Sequence, residues 1–225
     1  MNPVNHCFSF IVLLAAFAFC CSPANAQAGF DCKKASTETE KAICSDPEIA
    51  ESDRGMTVSY KSLLDRAGTK LRETLRADQA AFLKIRTEAF ESSLANRDMR
   101  MQKLLDYTDM RAEFLNWIAV TDQLSLEGTW SNAQGSVVLK RKASGGLAVK
   151  IDVADQANGS WVCSFEGDLE QGYTDEAKLQ SAGGPLVLRL DGATLEIPTP
   201  FCDGSTSGGF GSAAGTYFHV GASPS

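Results

Sequence analysis

The cysteines constrain this chain more than any other feature of its sequence. The chain has 225 residues and seven cysteines, three of which lie in the first 26 residues. The other four are Cys32, Cys44, Cys163 and Cys202. Four cysteines allow three pairings, but one pair lies in each half of the chain, so we predict the disulfides Cys32–Cys44 and Cys163–Cys202. Each would stabilise the fold by about 3 to 4 kcal/mol, because it restricts the unfolded chain.

The first 26 residues have the pattern of a secretory signal peptide. An apolar run over residues 8–19 precedes an Ala-Asn-Ala motif, which predicts cleavage after Ala26, although the segment contains no Lys or Arg. The run is too short for a typical membrane-spanning helix. We therefore expect a periplasmic or secreted bacterial protein. Cys20 and Cys21 leave a lipid anchor as the less favoured alternative, since Phe19 is bulkier than the small residue expected before a lipidated cysteine.

Two signals for the start of a helix follow Cys32. Thr37 and Glu40 have the spacing of a capping box, and Asp46 places a capping side chain directly before Pro47. With the first disulfide, these signals predict a stapled helical corner. Apolar residues then recur at helical spacing in three longer segments, residues 47–68, 71–95 and 98–120. Such segments can bury their apolar faces against one another in a small bundle.

The composition changes near Leu124, where Gly, Ser, Val and Thr become frequent. We place a domain boundary there, with a helical domain at residues 27–124 and a β-rich domain at residues 125–225. Strands are expected at residues 128–130, 136–142, 147–153, 160–165, 185–190, 194–197 and 216–220. Asp191-Gly192 is the clearest hairpin signal. The predicted fold is α+β with two domains: a disulfide-stapled helical bundle followed by a small antiparallel β-barrel or β-sandwich.

The chain is acidic, with 21 basic and 28 acidic residues and a formal net charge of −7. This balance disfavours a nucleic-acid partner and favours a cationic one. A cluster of acids near the second helix start supplies candidate partner contacts: Asp46, Glu48, Glu51 and Asp53. The alternative interpretation is that these acids stabilise the positive end of the helix.

Little in the sequence indicates catalysis. His219 is the only histidine after the predicted signal, so a Ser-His-Asp arrangement would depend on it, and a half-buried histidine in a strand is the expectation. We predict no catalytic residue, cofactor or metal site, and no enzyme. The Gly-rich tract at residues 203–215 is expected to be a surface loop beside Cys202, and its Asp203 and Phe210 are candidate partner contacts.

Motifs around the stapled corner resemble the N-terminal domain of the LprI-type lysozyme inhibitors. They are Phe30-Asp31-Cys32, Ala35-Ser36, Glu40-Lys41-Ala42-Ile43-Cys44, Asp46-Pro47-Glu48-Ile49-Ala50, Asp53-Arg54 and, later, Gln79, Phe82, Leu83 and Arg86. The resemblance covers about residues 30–115 and implies an exported or lipid-anchored inhibitor of lysozyme. Family members commonly carry a second cysteine pair after the position of Arg86, but residues 87–116 contain none. We therefore expect this helical pair to be held by packing alone.

The leading hypothesis is an envelope protein that binds and inhibits a lysozyme or related muramidase, since an acidic protein attracts a cationic one. The alternative is a non-inhibitory periplasmic module whose β domain binds a small ligand, a glycan or an envelope protein. An apolar cavity inside a barrel would favour the small ligand, whereas a filled barrel with a protruding loop would favour a protein partner.

Overall fold

A computed structural model of the chain describes residues 27–121, 124–171, 175–181, 184–202 and 211–221. The predicted signal peptide, with Cys20 and Cys21, lies outside the described residues. The fold is α+β, with a helical half followed by a β-barrel, and this confirms the predicted class. We keep residues 27–124 and 125–225 as the proposed limits of the two domains.

The helical half begins with the predicted stapled corner. Its helices are α1 (Glu38–Ser45), α2 (Pro47–Arg66), α3 (Thr69–Glu91) and α4 (Arg97–Trp117), after a 3-10 turn at Cys32–Lys34. Thr37 and Glu40 form a complete capping box at α1, and Asp46 caps α2 ahead of the proline. The disulfide between Cys32 and Cys44 joins the 3-10 turn to α1, with 5.8 Å between the Cα atoms. Both sequence signals for a helix start are therefore confirmed.

A buried arginine on α3 joins the three long helices. Arg86 donates from Nη1 to Asp53 Oδ1 on α2 at 2.7 Å and to Thr108 Oγ1 on α4 at 3.3 Å. The backbone N–H of Gly29 donates to the other carboxylate oxygen of Asp53 at 3.0 Å. Because loss of either partner would leave a buried charge uncompensated, these bonds fix the relative positions of the helices.

A second buried arginine joins α3 and α4. Arg111 on α4 donates from Nε to Gln79 Oε1 at 2.9 Å, and its Nη1 lies 2.8 Å from Asp78 Oδ2. The guanidinium carbon lies 5.0 Å from the centroid of the Phe82 ring and 4.7 Å from that of Phe114. The expectation that α3 and α4 are held by packing alone was therefore wrong. Ion pairs and hydrogen bonds join them where a second disulfide is missing.

The second half is a closed antiparallel barrel in which each strand pairs with the next and the last pairs with the first. The strands are β1 (Gly128–Asn132), β2 (Gly135–Arg141), β3 (Leu147–Ala154), β4 (Val162–Gln171), β5 (Glu176–Ser181), β6 (Gly184–Asp191), β7 (Thr194–Ile197) and β8 (Gly215–Val220). The sequence left barrel and sandwich open, and the structure shows the barrel. Strand β5 was not predicted, because Glu-Ala-Lys-Leu-Gln-Ser lacks the β-branched and aromatic residues typical of strands.

Large side chains fill the barrel interior. Trp130, Phe201 and Tyr217 are fully buried there. Trp130 Nε1 donates to the carbonyl of Leu126 at 2.9 Å, and the Tyr217 hydroxyl donates to that of Ala213 at 2.6 Å, so both buried polar groups are satisfied. The disulfide between Cys163 and Cys202, with 5.6 Å between the Cα atoms, adds a covalent link to this core. The predicted pairing of the four cysteines is the one present.

One face of the barrel packs against the helices. Phe218 and Val220 of β8 belong to the hydrophobic cluster formed by α2, α3 and α4. After α4, Ile118 forms an isolated β-bridge with Val220, and the N–H of Ala119 donates to the carbonyl of His219 at 2.9 Å. The α4 helix was predicted to reach residue 120, and this bridge to β8 explains why it ends at Trp117.

Replacing Phe218 by alanine is expected to lower the free energy of unfolding by about 3 to 5 kcal/mol, because loss of the ring would leave a cavity at the junction of the two halves. Urea unfolding followed by circular dichroism measures this change. Val162→Ala is the control, since Val162 is 47% exposed, and it should change stability by less than about 0.5 kcal/mol. Equal midpoints for the two variants would contradict the packing described here.

Candidate functional site

The acidic residues predicted as partner contacts have different roles in the structure. Asp46 Oδ1 accepts from the N–H groups of Glu48 and Ile49 at 2.9 and 3.2 Å, so this carboxylate is engaged in capping α2. Glu51 pairs with Arg54, whose hydrogen bonds lower the pKa of the Glu51 carboxyl. The exposed side chain of Glu48 has no ion-pair or hydrogen-bond partner within the described part of the chain. Glu48 is therefore the member of the cluster best placed to meet a partner.

Asp53 was wrongly predicted as a partner contact. Its side chain is 3% exposed and pairs with Arg86, so a partner cannot reach the carboxylate. The reason is its position on the buried face of α2, which also carries Ile49, Ala50 and Met56. A carboxylate in an acidic run is expected at the surface, but here a cation on another helix compensates its charge.

The N-terminal ends of α2 and α4 form a shallow concave surface of about 300 Å³, which we call the α2–α4 depression. Its lining residues are Ser45, Asp46, Glu48, Ile49, Arg97, Asp98, Met101, Gln102 and Leu105. Asn96 caps α4 by accepting from the N–H of Met99 at 2.9 Å, which places Asp98 in the first turn. Two exposed carboxylates, Glu48 and Asp98, therefore lie at the same surface as the half-buried Met101 and Leu105.

This arrangement suits a cationic side chain with an apolar stem. Carboxylates accept strong, charge-assisted hydrogen bonds from Lys and Arg, while the methionine and leucine offer apolar contact. The sequence prediction missed Asp98, since it lies far from the acidic cluster in the chain. The signal available was Asn96 followed by Asp98, the composition of a capped first helical turn.

Two other predicted contact residues, Asp203 and Phe210, lie outside the described residues. The chain on either side of them is held to the barrel. Cys202 is in the disulfide, and the N–H of Ala213 donates to the carbonyl of Phe201 at 3.0 Å. At Gly211 a Cβ atom would lie only 1.9 Å from the Trp161 ring, so glycine is required at this close approach. The contact role of Asp203 and Phe210 stays a prediction.

His219 is the half-buried strand histidine expected from the sequence. It lies on β8 with its ring edge-on to Trp130, 5.0 Å between centroids, and burial lowers the pKa of the imidazole. Its Nδ1 has no hydrogen-bond partner in the described residues. Within the same residues, no group of three or more His, Cys, Asp or Glu is arranged to hold a metal ion.

One comparison with known protein families finds a match within the helical half. Residues 32–115 match the family model described as Lysozyme inhibitor LprI. This match covers the N-terminal helical half and confirms the resemblance drawn from the cysteine and capping motifs. No curated protein and no solved structure matches the chain.

The family match and the two disulfides indicate an extracellular or periplasmic protein. None of the described helices is long and apolar enough to cross a membrane. Several residues that carry the family resemblance, including Asp53, Gln79, Phe82 and Arg86, are buried. They hold the helices together, whereas Asp46 and Glu48, also in the motif, lie at the α2–α4 depression.

Substitution of Asp53 by leucine is expected to lower the free energy of unfolding by about 3 to 5 kcal/mol, because Arg86 would be left buried without its counter-ion. The double variant Asp53→Leu/Arg86→Met should recover much of that loss, since it removes both charges. Urea unfolding of the single and double variants measures the coupling between the two residues. Equal losses in both variants would show that the ion pair does not join α2 to α3.

Proposed function

We propose that the mature protein is exported to the bacterial periplasm or secreted, where it binds a lysozyme or related muramidase and inhibits cell-wall hydrolysis. The observation that carries this proposal is the match of residues 32–115 to the lysozyme-inhibitor family. The helical fold supports the same assignment, since the stapled corner and both capped helix starts are present together. An inhibitor acts by binding, so the proposal requires no catalytic residue of its own.

The acidic character of the chain supports a cationic target. A formal net charge of −7 favours encounter with a positively charged lysozyme, and opposite charges raise the association rate most strongly at low salt. General attraction does not provide specificity, which requires a shaped contact surface. We assign that surface to the α2–α4 depression, where Glu48 and Asp98 flank the apolar Met101 and Leu105.

The barrel takes a supporting role in this proposal. Because its interior is filled by side chains such as Trp130 and Tyr217, a protein partner is favoured over a small ligand bound within the barrel. The loop at residues 203–215 is proposed as a second contact, with Asp203 and Phe210 as its contact residues. The tract begins directly after Cys202, which the disulfide holds to the barrel, and an anchor at one end reduces the entropy lost when a segment binds.

Charge reversal tests both the function and the surface. The mature protein should slow lysis of cell walls by a c-type or a g-type lysozyme, and the double variant Glu48→Lys/Asp98→Lys should raise the inhibitory concentration at least about tenfold. Its matched control is Glu73→Lys/Glu113→Lys, which makes the same change in net charge at two exposed positions on α3 and α4. The control variant should stay within about twofold of the unchanged protein at physiological salt, where long-range attraction is screened.

The outcomes distinguish the two parts of the proposal. Failure of the unchanged mature protein to inhibit or bind either lysozyme would refute the inhibitory function. Inhibition that both double variants weaken equally would retain the function but refute the α2–α4 depression as its surface. Binding that disappears at physiological salt, without inhibition at any salt concentration, would indicate only nonspecific electrostatic association between an acidic and a basic protein.

A further inference from the structure

A second concave surface lies where the helices meet the barrel. This interdomain cleft has a volume of about 320 Å³, at the lower end of the range of about 300 to 1,000 Å³ found for small-molecule sites. Helices α3 and α4 form one wall, and the residues around the β1–β2 turn together with Gln156 form the other. The cleft is separate from the α2–α4 depression, with which it shares no lining residue.

The wall formed by the helices is mainly apolar, with one buried cation and the Tyr107 hydroxyl, which donates to the carbonyl of Gln156 at 2.7 Å. Phe82, Met110 and Phe114 line the cleft, and Met110 is 58% exposed. Arg111 lines it too, although the whole residue is only 4% exposed. The aromatic rings and the methionine therefore offer contact to a flat or chain-like apolar body beside a positive charge.

The guanidinium group of Arg111 has an unused donor. Its Nε donates to Gln79 and its Nη1 pairs with Asp78, but the buried Nη2 has no partner in the described part of the chain. Loss of water around the group lowers the pKa of Arg111 despite the opposing effect of Asp78. Buried N–H groups of a charged side chain are seldom left without an acceptor, so this guanidinium keeps unused hydrogen-bonding capacity beside the cleft.

The barrel wall supplies polar groups at the other side of the cleft. The amide of Asn132 already donates to the carbonyl of Thr216, and that of Gln156 to the carbonyl of Gln134. The Ser131 and Ser136 hydroxyls lie on this wall, and neither forms a side-chain hydrogen bond with another described residue. A bound molecule would thus meet an apolar surface, one cationic donor and two hydroxyl groups.

We propose that the interdomain cleft binds a small amphipathic carboxylate. Its carboxylate group pairs with the guanidinium group of Arg111, and its apolar body packs against Phe82, Met110 and Phe114. An anion is favoured over a neutral molecule because the buried guanidinium offers a charge-assisted bond, the stronger kind. This site does not depend on lysozyme binding, since it lies on a different surface of the protein.

Three probes of the same shape test the assignment: naphthalene-2-carboxylate, naphthalene-2-carboxamide and 2-naphthylmethylammonium. Calorimetric titration of the mature protein should show the carboxylate binding at least about tenfold more tightly than the amide, with the ammonium compound weakest.

Two variants locate the site. Met110→Glu places a negative charge at the cleft and should weaken carboxylate binding at least about tenfold, whereas Met99→Glu, at another exposed methionine of α4, should leave it unchanged.

Equal affinity for the carboxylate and the amide would overturn the anionic assignment. Equal effects of Met110→Glu and Met99→Glu would overturn the location, as would carboxylate binding that neither variant weakens. Absence of binding by all three probes at millimolar concentration would overturn the proposal as a whole. Lysozyme inhibition by the same samples reports separately on the proposed function.

Discussion

The structure depends on the buried ion pair between Asp78 and Arg111. Asp78 pairs with Arg111 through one carboxylate oxygen, and its other oxygen accepts from the N–H of Ala133 in the β1–β2 turn at 2.9 Å. One carboxylate therefore joins α3, α4 and the barrel. Because a buried charge is tolerated only with its partners in place, neither half can shift without leaving a charge or an amide unsatisfied. The neighbouring Phe218 adds apolar packing at the same junction.

Local signals made the helical half predictable. Capping at Thr37 and Asp46 depends on residues close together in the chain, and so does the disulfide between Cys32 and Cys44. The long-range partners were not predictable. Asp53 was placed at the surface because its counter-ion lies 33 residues away on another helix, and nothing near Asp53 indicates Arg86. The same limit applies to Asp98, which joins Glu48 only because the starts of α2 and α4 meet in the fold.

In the barrel, alternating apolar and polar residues predicted most of the strands but not all of them. Seven strands had the turns and apolar residues from which strands are recognised, but β5 has only two apolar residues, Ala177 and Leu179, and was missed. The sequence did not determine closure of the barrel either, since closure depends on the pairing of β1 with β8, about ninety residues later in the chain. The half-buried position of His219 was predicted correctly. In the structure His219 lies next to the fully buried Phe218 and opposite Trp130, so little solvent reaches its ring.

The residues that match the family motif divide into a buried group that holds the fold together and an exposed group at the surface. Buried motif residues such as Gln79 and Arg86 maintain the fold, while Glu48 and its neighbours at the α2–α4 depression are assigned to lysozyme contact. Amide hydrogen exchange of the mature protein, measured with and without lysozyme, tests the division most directly. Lysozyme contact at the α2–α4 depression should add protection at residues 45–49 and 97–105 and leave the interior of α3 unchanged. Protection confined to the barrel, or no change on addition of a lysozyme, would contradict it.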